Sequence, residues 1–157
     1  MWRLIFILMF LPAFAWAQGL QVGFQGLNAN KNAPIEIAAD SMTLNNATGQ
    51  AELRGDVVVI QGDLRMQAQA IDIAYTQTGG LNTLKAWGGI LLVTAAEEVE
   101  AQSATYDVVG ERMLLVGDVL MVQGQSAISA DRMDIDLATE TAQFDGRVRT
   151  VLTSGDQ

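Results

Sequence analysis

The chain has 157 residues, half of them hydrophobic, with 18 acidic against 9 basic side chains and a formal net charge of −9. It contains no cysteine and no histidine, which removes disulfides, thiol and imidazole nucleophiles, the Ser-His-Asp arrangement and imidazole metal ligands. Its acidic balance, with basic residues scattered singly apart from Arg147 and Arg149, repels phosphate and excludes nucleic acid as a partner.

Residues 1–17 read as a cleavable secretory signal peptide. Arg3 supplies a positive n-region, Leu4 to Phe14 an apolar stretch, and Ala15-Trp16-Ala17 small residues around a cleavage point. The apolar run is shorter than the roughly 20 residues a spanning helix needs. Residues 18–33, rich in Gly, Asn and Gln, read as a flexible arm with one short strand around Leu20, Val22 and Phe24. Pro34 closes the arm, a single domain is expected over 34–152, and 153–157 form a tail.

Within that domain apolar residues recur at every second position: Ile35 and Ile37, Met42 and Leu44, Ala51 and Leu53, Val57 and Val59, Leu64 and Met66, then Ile71 and Ile73. Period two broken by Asn, Gly and Thr clusters predicts strands and turns, with reversals at Asn45–Gly49 and Thr76–Gly80. The chain also repeats. Gly55, Gly88, Gly117 and Gly146 each open an apolar run, at steps of 33, 29 and 29 residues. Ala39, Ala68, Ala101 and Ala130 keep the same rhythm, and Gly55–Gly62 aligns with Gly117–Gly124. A period near thirty predicts a stacked architecture of about four repeats.

The inward parity switches just after each landmark alanine, which predicts a bulge or corner there. Each repeat is then a bent ribbon, and the stack has two walls with an apolar groove between them. The landmark glycines fit a bend better than a phosphate-binding loop, because no helix follows them. Parity assigns Val57, Val59, Leu64, Met66, Ile71, Ile73, Ile90, Leu92, Leu115, Val119, Met121, Ile128, Met133, Ile135 and Phe144 to the groove. Val58, Ile60, Leu120 and Val122 fall on the outward face although they are apolar.

Chemistry is sparse. Asp131, Asp134 and Asp136 have oxygen-ligand character, but the last two alternate with Met133, Ile135 and Leu137 as a solvated strand face would. Asp56 and Asp118 occupy equivalent repeat positions and could stack as paired carboxylates on nearby rungs, although each follows a landmark glycine where a polar edge residue is ordinary. No metal, cofactor or catalytic residue is expected. The run Gly146–Leu152 places two arginines on one face with no cap after it. Ile35, Ile37, Val148 and Thr150 are therefore read as edge positions open to β-augmentation.

Pro34-Ile35-Glu36-Ile37-Ala38-Ala39-Asp40, Gly55–Gly62 leading to Met66-Gln67-Ala68, and the second copy over Gly117–Asp131 carry a likeness. On these residues the chain resembles the OstA-like (LptA) family of periplasmic lipopolysaccharide-transport proteins over 34–152. The resemblance implies an all-β, twisted β-jellyroll of stacked antiparallel strands, a periplasmic location, and no enzymatic activity. It implies passage of lipopolysaccharide from inner to outer membrane with acyl chains in the groove. Implied partners are inner-membrane LptC, the N-terminal domain of outer-membrane LptD, and further copies of the chain joined head to tail. Two other readings stand beside it: an edge-polymerising β-stack scaffold without lipid cargo, and a polysaccharide-acting β-solenoid enzyme using Asp56 or Asp118.

Overall fold

The computed structural model describes residues 22–23 and 33–152. The expected signal peptide, most of the arm and the C-terminal tail lie outside the described residues. Eleven strands follow in chain order: β1 (Val22–Gly23), β2 (Ile35–Ala38), β3 (Ser41–Asn45), β4 (Gln50–Gln61), β5 (Leu64–Tyr75), β6 (Leu81–Val93), β7 (Glu97–Asp107), β8 (Arg112–Gln123), β9 (Ser126–Asp136), β10 (Thr141–Asp145) and β11 (Arg149–Val151). All pairings are antiparallel, and each of β4 to β9 pairs with its sequence neighbours. The result is the twisted β-jellyroll architecture expected from the sequence.

The six long strands run 11 to 13 residues and each is bent once. The register slips at the bend in every pair, for example between Arg54 and Val57 of β4 and between Val116 and Val119 of β8. One half of each strand lies in a first wall, bounded by β3 and β10. The other half lies in a second wall, bounded by β2 and β11. The two-residue β1 pairs outside β10, so the N-terminal part of the chain meets its C-terminal part in the first wall.

The bend follows from the two landmarks. Gly55 and Gly117 have φ of +78° and +89°, a region that a side chain resists. Each landmark glycine packs against the residue that follows a landmark alanine: Gly55 on Asp40, Gly88 on Gln69, Gly117 on Gln102 and Gly146 on Asp131. Asp40 N–H donates to the Gly55 carbonyl at 3.0 Å, and Asp131 N–H to the Gly146 carbonyl at 2.9 Å. Glycine and alanine corner are thus two sides of one recurrent junction, in which a Cβ would collide with the strand before it.

Candidate functional site

The inward residues of both walls merge into one apolar cluster. Thirteen of the fifteen residues that parity assigned to the groove are buried, while Leu64 and Phe144 are half-buried. Register turns them into rows. In the second wall Ile37, Val59, Met66, Leu92, Val99, Met121, Ile128 and Thr150 stand opposite one another from β2 to β11. In the first wall Met42, Leu53, Ile71, Ala86, Ala104, Leu115, Met133 and Phe144 do the same from β3 to β10. Seven strand spacings of about 4.8 Å make each row roughly 34 Å long.

The interior between these rows is filled by side chains. Val57, Ile71, Leu115, Met133 and Ile135 are wholly buried, and a cavity of about 570 Å³ opens at the bend instead, beside Asp56, Gln69, Gly89, Gln102 and Asp118. Parity identifies which side chains point inward but carries nothing about how closely the walls approach. Leu53, Val99, Met113 and Leu137 also belong to the inward cluster and were not assigned to the groove from sequence. The signal for Leu53 was its alternation with Ala51; Val99 is found only through its pairing with Leu92 and Met121.

The ends of the stack differ from its middle. Ile35, Ile37, Met42 and Leu44 are 43–57% exposed, because among the described residues no further strand lies outside β2 and β3 to cover them. At the other end Thr150 of β11 stands opposite Ile128 of β9, while Val148 precedes β11 and is exposed. The expectation of two arginines on one strand face needs correction. Arg147 occupies the bend with φ +44°, where its Nε donates to Asp131 Oδ1 at 2.7 Å and it also lies 3.7 Å from Asp118. Only Arg149 is on the strand.

The carboxylates are dispersed. The hydrogen bond from Arg147 holds the Asp131 carboxyl below its usual range, and Arg147 is raised in turn. Asp134 bonds Arg112 and Arg132 on the outer face, each at 3.3 Å. Asp136 accepts from the backbone N–H groups of Thr139 and Ala138 at the β9–β10 turn; the Thr139 bond is the main cause of its lowered pKa. Among the described residues no three acids gather as a metal site.

Asp56 and Asp118 sit at bends on β4 and β8, four strand spacings or roughly 19 Å apart. That exceeds the separation two carboxylates need for sugar hydrolysis, so the expectation that they stack on nearby rungs is corrected. Each is held by a glutamine instead, Asp56 by Gln69 at 3.2 Å and Asp118 by Gln102 at 2.8 Å.

The outward apolar residues Val58, Ile60, Leu120 and Val122 are half-buried. They alternate across the second wall with polar strands: Val58 faces Gln67, Ile60 faces Arg65, Leu120 faces Glu100 and Val122 faces Glu98. Long polar side chains therefore lie beside each apolar pair, and their stems can cover it.

Residues 36–145 match the family model described as LptA/(LptD N-terminal domain) LPS transport protein. An uncharacterised protein of Rhizobium meliloti (strain 1021) is 24% identical over 154 residues, covering 90% of this chain and 83% of the relative. The fold is similar to that of LptH from Pseudomonas aeruginosa, with a TM-score of 0.72 and 18% identity over 80% of this chain and 99% of LptH. The LptH crystal structure is described as that of the LptA homologous periplasmic component of the conserved lipopolysaccharide transport device.

Proposed function

Because the chain belongs to the LptA/(LptD N-terminal domain) family of LPS transport proteins, a transport family and not one of enzymes, we propose that it carries lipopolysaccharide through the periplasm. The acyl chains would lie between the two walls and the sugar outside them. The supporting observation is the pair of apolar rows, one running unbroken from β2 to β9 and ending in Thr150 on β11, the other running from β3 to β10. A passage that is apolar over most of its length and, among the described residues, unpaired at both ends of the second wall suits a cargo handed from one stack to the next.

Side chains now occupy the space an acyl chain would take, so entry requires the walls to part. Each CH₂ transferred from water gains about 0.8 kcal/mol, and this gain offsets the packing between the walls that parting them disrupts. Methionine supports such exchange, because its flexible thioether adapts to a changed neighbour; Met66, Met113, Met121 and Met133 all face inward. The exposed edges β2 and β11 would pair with the inner-membrane partner LptC, with the N-terminal domain of LptD, or with further copies.

The closed interior also fits an edge-polymerising scaffold without cargo. A photocrosslinking probe placed at Met121, with Asp118 as control, separates the two. Lipopolysaccharide adducts at Met121 and none at Asp118 are the result expected of a carrier. Protein adducts alone, at either position, favour the scaffold.

A further inference from the structure

β1 and β2 are close in sequence and far apart in the fold. Gly23 ends β1 and Ile35 begins β2, so residues 24–34 join them. β1 pairs outside β10 at one end of the stack, and β2 pairs with β4 at the other. Eight strand-to-strand steps separate them along the sheet, which at about 4.8 Å per step is roughly 38 Å. β1 also belongs to the first wall and β2 to the second, so the link has to cross between walls as well.

The length of the link leaves almost no slack for this course. The twelve Cα steps from Gly23 to Ile35 reach about 40–43 Å at full extension. A flexible link of that length spans roughly 17–21 Å on average. Pairing β1 with β10 of its own chain therefore requires nearly the whole reach of the link. Only two residue pairs secure it, Val22 with Ala142 and Gly23 with Thr141. So short a ladder offsets little of the conformational freedom that stretching removes.

The same pairing is undemanding between copies. When two copies meet head to tail, the end carrying β10 and β11 in one faces the end carrying β2 and β3 in the next. β10 of the first copy then lies one or two strand spacings from β2 of the second, on the opposite wall. β1 of the second copy has to reach it over roughly 10–15 Å, well inside the average span of its link. Met42 and Leu44 of β3, 57% and 56% exposed, stand at this junction and gain a neighbouring strand.

We propose that joined copies exchange β1: the strand of each copy adds to β10 of the copy ahead, between that strand and its own β3. The outer edge of β10 is thus a docking surface for residues 22–23 of a second copy. One contact that forms either within a chain or between chains is the condition for strand exchange, and a short, strained link favours the exchanged form. The exchange closes the first wall across the junction while β11 and β2 meet in the second. It rests on the head-to-tail joining proposed above and is independent of the cargo.

The chain has no cysteine, so introduced thiols report the exchange directly. Gly23→Cys and Thr141→Cys, made in separate proteins, are mixed and oxidised; the two positions are paired, and paired positions lie within disulfide reach. Their mixed disulfide should form at least about tenfold faster than one between Gly23→Cys and Thr78→Cys, because a tethered strand is presented at high local concentration. Thr78 is an exposed turn residue in the middle of the stack. Inserting about six Gly and Ser residues after Asn30 gives the pairing within one chain its missing slack. The insertion should lower the mixed disulfide severalfold, and a chain carrying both cysteines should then close on itself as a monomer. Association by light scattering with no mixed disulfide above the control overturns the exchange and leaves head-to-tail joining intact. A mixed disulfide unchanged by the longer link overturns the strained link as its cause. No association at all overturns exchange and joining together.

Discussion

A Cβ built on Gly117 would fall 2.8 Å from the Cβ of Gln102, one strand away. The glycine is also held at φ +89°, so two separate costs meet any side chain placed there. Gly117→Ala should lower stability by about 2–4 kcal/mol, from a strained backbone and an overlap that strand pairing prevents from relaxing. Gly79 provides the comparison, since it has φ +84° but open space around its would-be Cβ. Gly79→Ala should cost only the backbone part, about 1–2 kcal/mol. Denaturant unfolding of both variants, followed by Trp87 emission, measures the difference. Equal losses would show that the close approach at the bend contributes nothing.

Much of this junction was legible before the structure. The steps between landmark glycines and alanines disclosed the repeat, and the parity switches disclosed a corner. What the sequence could not show was that the glycine of one strand sits against the residue after the alanine of the strand before it. That relation depends on register, which one-dimensional spacing does not contain. The same limit explains Asp56 and Asp118, equivalent in the repeat yet four strands apart. It also explains β1, whose pairing with β10 joins positions some 120 residues apart in sequence. The inward set was legible because period two is a local property of each strand. The closeness of the walls is set by side chains from both, so it was not.

Val59 and Leu115 separate lipid capture from stability. Leu115 is wholly buried, and Leu115→Ala should cost about 2–5 kcal/mol by leaving a cavity. The lining stays apolar, so folded material should still take up lipid. Val59 is 8% exposed in the inward row of the second wall. Val59→Asp places a carboxylate where acyl chains would run, and lipid capture should be lost from whatever fraction remains folded. Uptake of a fluorescent lipopolysaccharide by variants first checked by circular dichroism decides it. Normal uptake by folded Val59→Asp would show that the second-wall row does not hold the cargo.

Ile37 tests the open end. It stands opposite Val59 on β2 and is 43% exposed, so a lysine there disturbs little of the packed interior. Ile37→Lys should change stability by no more than about 0.5 kcal/mol. Its effect should appear in assembly, because a charge on an edge strand discourages pairing with another chain. Light scattering over a concentration series should show weaker self-association than for the unaltered protein. Unchanged association would place the joining surface at β11 or away from the strand edges altogether.

The pair formed by Asp131 and Arg147 makes one end of the stack sensitive to acid. The Arg147 hydrogen bond lowers the Asp131 pKa in the folded chain, so the unfolded chain binds a proton more readily. Stability from this group is therefore fully present above the unfolded carboxyl pKa of about 3.9. It disappears as the pH falls through the lower folded value, where both states are protonated. Asp131→Asn keeps the shape and removes the charge. The difference in unfolding midpoint between the two proteins should be constant from pH 7 to about 5 and shrink below about 4. The screened, exposed position also makes that difference salt-dependent. A difference that persists unchanged at pH 3 would mean that Asp131 supports the β9–β11 bend through shape and neutral hydrogen bonding, with the ion pair adding nothing.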